Sequence, residues 1–413
     1  MNDFTQSLFV DYCSTQPIAM GRLAYTNRRI AFEYTPEFLE LGFELSPFKL
    51  PLKPGVQFST DMVFEGLFGV FNDSLPDGWG RLLLDRKLRN QGIFPNNLTP
   101  LDRLRYVGTH GMGALQYRPA FPFASMEQKE IELDQLAQEC TQFEAKEEEQ
   151  FLDDLIRLNG SSAGARPKIL VSLDPKTKLI RASDNHRNHT HPDWIIKFRS
   201  FVDPQDMGSI EYAYHLMATV AGVIVPEARL FKSKLCSGYF GVKRFDRNEK
   251  IFLHSHTLSG LLHADHRMPS LDYEAVMKAT AILTKNIAEQ KKQFRHIAFN
   301  VFAHNRDDHA KNFSFLMDEN GIWRVSPAYD LTFSAGPGGE HCTTLMGNGR
   351  SPGKADLLKL AAVSNIDYRE ALDILEQVKE AVSQWKQFAH EAGVSKSSMQ
   401  SIQKKLNEMK SAS

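Results

Sequence analysis

Asn305-Arg306-Asp307-Asp308-His309-Ala310-Lys311-Asn312 is the stretch on which the reading of this chain turns. It follows a helical apolar stripe (Phe294, Ile297, Ala298, Val301, Phe302) and precedes the strand-like Phe313-Ser314-Phe315-Leu316. A polar loop held between two apolar elements is where binding and catalytic groups collect. Arg306-Asp307, four residues, then Asn312 reproduces the spacing of part of a kinase catalytic loop. A carboxylate there orients an attacking hydroxyl and accepts its proton. A neutral amide a few residues on offers an oxygen to Mg²⁺ without adding charge. Asn305 stands where protein kinases carry His, so the match is partial.

Downstream, Asp330 lies 18 residues after Asn312, past a turn at Asp318-Glu319-Asn320-Gly321. A kinase has its main metal-binding Asp after such a hairpin, although Tyr329-Asp330-Leu331 replaces Asp-Phe-Gly. Upstream, Asn159-Gly160-Ser161-Ser162-Ala163-Gly164-Ala165-Arg166-Pro167-Lys168 is a small-residue loop before a strand. Such a loop lets backbone N–H groups approach phosphates, although an ordinary turn has the same composition. Lys197 sits in the apolar run Trp194-Ile195-Ile196-Lys197-Phe198, a poor place for an unpaired ammonium. A phosphate or a carboxylate would explain it, and Glu211, at the start of the next helix, is the candidate carboxylate.

The chain has 413 residues, 42% hydrophobic and 24% charged, with a formal net charge of −1. That excludes wholesale disorder and a collagen-like chain, and it gives no global basic field for nucleic acid. No apolar run reaches about 18 residues, so no membrane span is expected. Met1-Asn2-Asp3-Phe4 does not read as a secretory signal. Cys13, Cys140, Cys236 and Cys342 form no CxxC, and the expected compartment is the reducing cytoplasm.

The composition divides the chain into four parts. Residues 1–120 read as a small α+β unit, with strands at Leu8-Phe9-Val10 and Ile30 to Tyr34 and a helix over Gly80 to Arg86. Residues 121–158 read as a solvated acidic helix and linker, because residues 127–157 hold eleven acidic and three basic side chains. Residues 159–250 read as β-rich, with a hairpin turned at Asp174-Pro175 and strands near Trp194, Ala228 and Tyr239. Residues 251–413 read as mainly helical. The order is a β-rich lobe followed by a helical lobe. His254, His256, His263 and His266 are taken as a surface segment.

Four motifs carry a family resemblance: Gly164-Ala165-Arg166-Pro167-Lys168, Lys243-Arg244-Phe245-Asp246-Arg247, Asp307-Asp308-His309-Ala310-Lys311-Asn312-Phe313-Ser314 and Pro327-Ala328-Tyr329-Asp330. They resemble the HipA-type serine/threonine kinases, toxins of type II toxin–antitoxin modules. Phe71 to Gly78 and Gly111 to Leu115 resemble that family's N-terminal subdomain. The resemblance implies an α+β, bilobal protein-kinase-like fold related to the phosphoinositide kinases, with ATP between the lobes. It implies Asp307 as catalytic base and Asn312 and Asp330 as Mg²⁺ holders. Lys197 would contact phosphates, and Ala163, Gly164, Ala165, Arg166, Pro167 and Lys168 would form the phosphate loop. Lys243, Arg244 and Phe245 would be the hinge, meeting adenine through backbone groups. Asp246 and His309 would lie near ribose or phosphates, with Lys311 and Tyr329 also in the ATP site. Ser161 aligns best with the family's autophosphorylated serine, and Ser162 is one residue away. The implied partners are a HipB-like DNA-binding antitoxin, operator DNA only through that antitoxin, and a protein substrate such as an aminoacyl-tRNA synthetase. Three other readings remain at this level: a kinase-fold enzyme for a small molecule or lipid, a non-catalytic antitoxin-binding module, and a metal-dependent phosphohydrolase using Asp307, Asp308 and His309.

Overall fold

Period-two alternation of apolar residues builds the first sheet of the computed structural model, which describes residues 6–121, 130–146, 152–160, 164–183, 191–248 and 251–411. Strands Ser7–Tyr12, Ile18–Thr26 and Arg29–Tyr34 form an antiparallel meander, flanked by Gln57–Phe58 and Leu115–Arg118. Leu8, Val10 and Tyr12 on one strand and Ile30, Phe32 and Tyr34 on another supply the buried face. The helix expected at Gly80 to Arg86 is longer, Gly78–Asn90.

A second antiparallel sheet holds Ile180–Ala182, Lys168–Leu173, Asp193–Lys197, Tyr239–Lys243 and Ala228–Phe231, in that spatial order. Its two faces have different partners. Ile169, Val171, Trp194 and Ile196 pack with Leu136, Cys140, Phe143, Leu155 and Leu158 of helices Leu133–Lys146 and Leu152–Asn159. The acidic segment is therefore not the solvated linker its composition suggested. Its apolar stripe is buried against the sheet, and composition alone does not reveal which side the stripe faces. The opposite face carries Lys168 and Lys197 and meets helix Met207–Val220.

The C-terminal lobe is mainly helical, including Tyr273–Thr284, Ile287–Phe302, Lys354–Val363, Tyr368–Ser383, Trp385–Glu391 and Lys396–Ser411. Asn286 caps Ile287–Phe302 by accepting the Ala288 N–H. Phe294, Ile297, Ala298 and Val301 on this helix are fully buried. A small sheet of His254–Thr257, Ser314–Met317 and Trp323–Val325 carries the catalytic-loop candidate at one end. Tyr214 O–H donates to Ala303 O (2.7 Å), tying helix Met207–Val220 to the end of Ile287–Phe302. This is a bilobal kinase-like arrangement with an α+β unit added at the N-terminal side. Among the described residues, no helix is long and apolar enough to cross a membrane.

The N-terminal unit is fastened to the body by the His-rich stretch. This corrects the expectation of a surface segment, since His254, His256 and His263 are all buried. His254 Nε2 pairs with Leu45 O (3.0 Å). A carboxylate only accepts, so His256 Nδ1 donates to Asp73 (2.6 Å) and its Nε2 meets Ser46 Oγ (2.9 Å). His263 Nδ1 donates to Asp61 (2.7 Å), while its Nε2 accepts the Gly69 N–H (2.9 Å). Gly69 and Gly260 let the two short helices touch: a Cβ on Gly69 would lie 2.0 Å from Gly260 O. Asp73 additionally accepts Thr257 N–H (2.7 Å) and Thr257 Oγ1–H (2.7 Å).

Asp73→Ala would leave these three donors without an acceptor in a buried interface. The expected loss is about 3 kcal/mol of stability, read by denaturant unfolding. A loss below about 0.5 kcal/mol would show that Asp73 does not anchor the interface.

Candidate active site

Lys168 and Lys197 are Cα partners on adjacent antiparallel strands, so their side chains leave the same face. Like charges placed so are unfavourable by about 0.2–1 kcal/mol unless anions compensate. Three carboxylates do so. Glu211, on the helix beneath, meets Lys197 Nζ at 3.0 Å and is almost fully buried. Asp330 arrives from the C-terminal lobe and accepts a hydrogen bond from the same ammonium. Asp77 arrives from the N-terminal unit and adds negative charge near Lys168.

The charges shape one another. Burial alone would lower the Lys197 ammonium, but Asp330 and Glu211 outweigh it and hold it above the ordinary lysine range. Burial alone would raise the Asp330 carboxyl, but Lys197 and Lys168 hold it well below the ordinary carboxylate range. Lys168 is less compensated: burial pulls its ammonium down to about 8 against the attraction of Asp330. Asp330 also has φ +53°, a left-handed conformation that Asp tolerates better than most residues. Such backbone strain concentrates at functional sites.

The catalytic-loop candidate is mostly buried, yet Asp307 is exposed between Arg306 and Asp308. Asn312 Nδ2 donates to Asp307 O (2.7 Å), which fixes the amide and leaves its Oδ1 without a hydrogen bond among the described residues. Asp308 turns the other way. It is fully buried and accepts from Tyr273 O–H, His341 Nδ1 (2.7 Å) and Thr343 N–H (3.2 Å). It therefore anchors the loop, and the grouping of Asp307, Asp308 and His309 as joint metal ligands does not fit. Cys342, which the sequence reading passed over, donates its thiol to Asp307 Oδ1 (3.9 Å). Burial and the nearby Asp308 and Asp307 push that thiol up to about 12.

The other expected site residues fall into two groups. Gly164, Ala165, Pro167, His309 and Tyr329 border the same region. His309 Nδ1 is buried with no hydrogen-bond partner among the described residues. Tyr329 O–H donates to Lys311 O (2.5 Å), and its ring stacks on Phe245 (5.7 Å between centroids). At the hinge candidate, Lys243 N–H donates to Glu227 O (2.8 Å) and Arg244 N–H to Asp193 O (2.9 Å). Those two amides are engaged in backbone pairing, whereas Phe245 N–H has no hydrogen bond among the described residues.

Four side chains have other commitments. Arg244 and Asp246 are fully buried against each other (2.8 Å), and Asp246 also holds Arg247 (2.8 Å) and accepts Gly113 N–H (2.8 Å). Asp246, expected near ribose or phosphate, thus clamps the hinge to the N-terminal unit. Arg166 forks onto Asp203 (2.8 and 3.2 Å) and reaches Glu211 (3.5 Å). Lys311 Nζ reaches Asp77 (2.5 Å). Ser161, Ser162 and Ala163 lie outside the described residues.

The chain was compared with known proteins. Residues 160–409 match the model of the HipA-like C-terminal domain, and residues 13–118 match that of the HipA N-terminal domain. A Sinorhizobium fredii (strain NBRC 101917 / NGR234) protein named "Putative kinase Y4dM" is 27% identical over 158 residues. That match covers 34% of this chain and spans 37% of the relative's length. Among solved structures, the chain resembles one from the Shewanella oneidensis MR-1 toxin–antitoxin complex of HipA, HipB and operator DNA. The TM-score is 0.69 at 18% identity, covering 98% of this chain and 95% of that one. At that identity the likeness speaks for the fold.

Lys197→Met would strip Glu211 of its ammonium in a buried setting, for an expected loss of about 3 kcal/mol. Adding Glu211→Gln should return part of it, read as a coupling energy in a double-mutant unfolding cycle. Additive losses would mean the pair is not coupled.

Proposed function

Because the chain belongs to the HipA family, we propose that it is an ATP- and Mg²⁺-dependent protein serine/threonine kinase, the toxin of a HipBA-like toxin–antitoxin module. The observation that supports this reading is the meeting of Lys197 and Asp330 across the two lobes, with Lys168 opposite Lys197 on the sheet and Asn312 holding Asp307 O within the catalytic-loop candidate. Fixed cations for phosphates, two oxygens for a hard metal and one open carboxylate are what phosphoryl transfer needs, since its catalysis is mainly positioning and charge stabilisation.

Lys168 and Lys197 would hold phosphate oxygens. The unbonded Oδ1 of Asn312 and the Asp330 carboxylate suit Mg²⁺, which favours one or two protein oxygens completed by phosphate. A metal ion held by those two residues would supply positive charge to the phosphate oxygens. Phe245 offers its backbone N–H to adenine, with its ring resting on Tyr329. Asp307 accepts the proton of a serine or threonine hydroxyl as that oxygen bonds to phosphorus and the bond to the leaving diphosphate breaks. The loop serines Ser161 and Ser162 are the proposed sites of self-inactivation by autophosphorylation. The proposed setting is cytoplasmic, with a translation component such as an aminoacyl-tRNA synthetase as target and growth arrest as outcome. A HipB-like antitoxin is the proposed partner, with operator DNA reached only through it. The N-terminal unit, acidic helices, ATP-binding part and catalytic lobe are proposed to divide near residues 120, 158 and 250.

Asp307→Asn is expected to lower phosphorylation about 10²–10⁴-fold while Mg-ATP still binds. Intact-mass spectrometry with Mg-ATP, beside calorimetric binding, reads both. Retained transfer in the folded variant would remove Asp307 from the mechanism.

Lys168 yields a pH test. Its ammonium persists below about 8 and is lost above it, and phosphate favours the ammonium. Mg-ATP affinity is therefore expected to weaken about tenfold from pH 7 to pH 9, and Lys168→Arg to flatten the dependence. A flat wild-type profile would take Lys168 out of the phosphate site.

A further inference from the structure

The turn Asp77-Gly78-Trp79 of the N-terminal unit grips one residue of the phosphate-loop candidate, Gly164, through both its N–H and its carbonyl. Gly164 N–H donates to Asp77 Oδ1, and Trp79 N–H donates to Gly164 O (3.0 Å). Gly78 makes the approach possible. It has φ +43°, and a Cβ there would lie 2.5 Å from Gly164 O and 2.7 Å from Ala165 Cα. The other Asp77 oxygen accepts from Lys311 Nζ at 2.5 Å, with both side chains almost buried. Asp77 also occupies the N-cap of helix Gly78–Asn90, yet its side chain caps no amide of that helix. An Asp at that position ordinarily does so and contributes about 1 kcal/mol. Here the carboxylate forgoes its own helix and serves two loops of the kinase body.

We propose that Asp77 is a positioning residue for phosphoryl transfer, its carboxylate joining the phosphate loop at Gly164 to the catalytic loop at Lys311. The inference rests on the kinase reading above and deepens it. Lys311 immediately precedes Asn312, whose amide holds Asp307 O, so one side chain relates the phosphate-holding loop to the proton-accepting loop. Both ends of an in-line displacement depend on that relation, and small misplacements there are costly. Lys168 adds positive charge near the carboxylate, and His266 Nε2 lies 4.0 Å from it, its imidazole held down to about 4 by burial.

The test compares full-length wild type, Asp77→Ala and Asp77→Asn. The readouts are steady-state kinetics with Mg-ATP and amide hydrogen exchange of the peptide spanning Gly164 in nucleotide-free protein. Asp77→Ala is expected to raise KM for Mg-ATP about tenfold, to lower kcat about tenfold and to speed exchange at Gly164. Asp77→Asn keeps an acceptor for Gly164 N–H but loses the charge facing Lys311. It should lower kcat with KM and exchange near wild type. A folded Asp77→Ala with wild-type kinetics and unchanged exchange would overturn the proposal. Should that variant fail to fold, an unaltered kcat in Asp77→Asn overturns it instead. A wild type that neither binds nor turns over Mg-ATP would overturn the kinase reading, and exchange at Gly164 then decides alone whether Asp77 holds the loop.

Discussion

Two ammonium groups standing opposite each other on neighbouring strands are the constraint around which this molecule is arranged. Lys168 and Lys197 cannot share one buried sheet face without nearby anions, and the chain brings those anions from three separate places. Glu211 comes from the helix under the sheet, Asp330 from the helical lobe and Asp77 from the N-terminal unit. Each carboxylate thereby fixes one neighbouring body against the sheet. Asp330 and Glu211 outweigh burial around Lys197, whereas burial dominates around Lys168.

The same logic of long-range polar pairing governs the join between the N-terminal unit and the body. Asp61 and Asp73 each receive a histidine Nδ1–H, one from His263 just past the strand His254–Thr257 and one from His256 within it. The other nitrogen of each ring is engaged as well, by Gly69 N–H in one case and Ser46 in the other. Buried polar groups paired with this geometry favour one arrangement over others. The unit is thus held in a fixed orientation, and the turn at Asp77 depends on that orientation to meet Gly164.

Legibility in the sequence followed distance along the chain. The lobes, the catalytic-loop spacing and the Lys197–Glu211 pair could be read because period and short spacing encode them. A lysine inside an apolar strand announces a missing partner, and the next helix held one. The clamp at Asp246 was not read, although the arginines two residues before and one residue after it already accounted for its charge. The histidines looked like surface because polar composition does that, and Asp61 and Asp73 lie 202 and 183 residues away. The acidic helices were misread for a related reason: charge count says how wet one side of a helix is, and nothing about the stripe opposite.

Asp77 also has a history during synthesis. Its two partners follow it by 87 and 234 residues, so the carboxylate is translated long before either exists. At about 5–20 residues per second, the second partner emerges some tens of seconds or less after Asp77 itself. In that interval the N-terminal unit carries an unsatisfied anion on the surface that will later receive the phosphate loop. The turn is therefore made before the loop it meets and long before the lobe that completes its pairing.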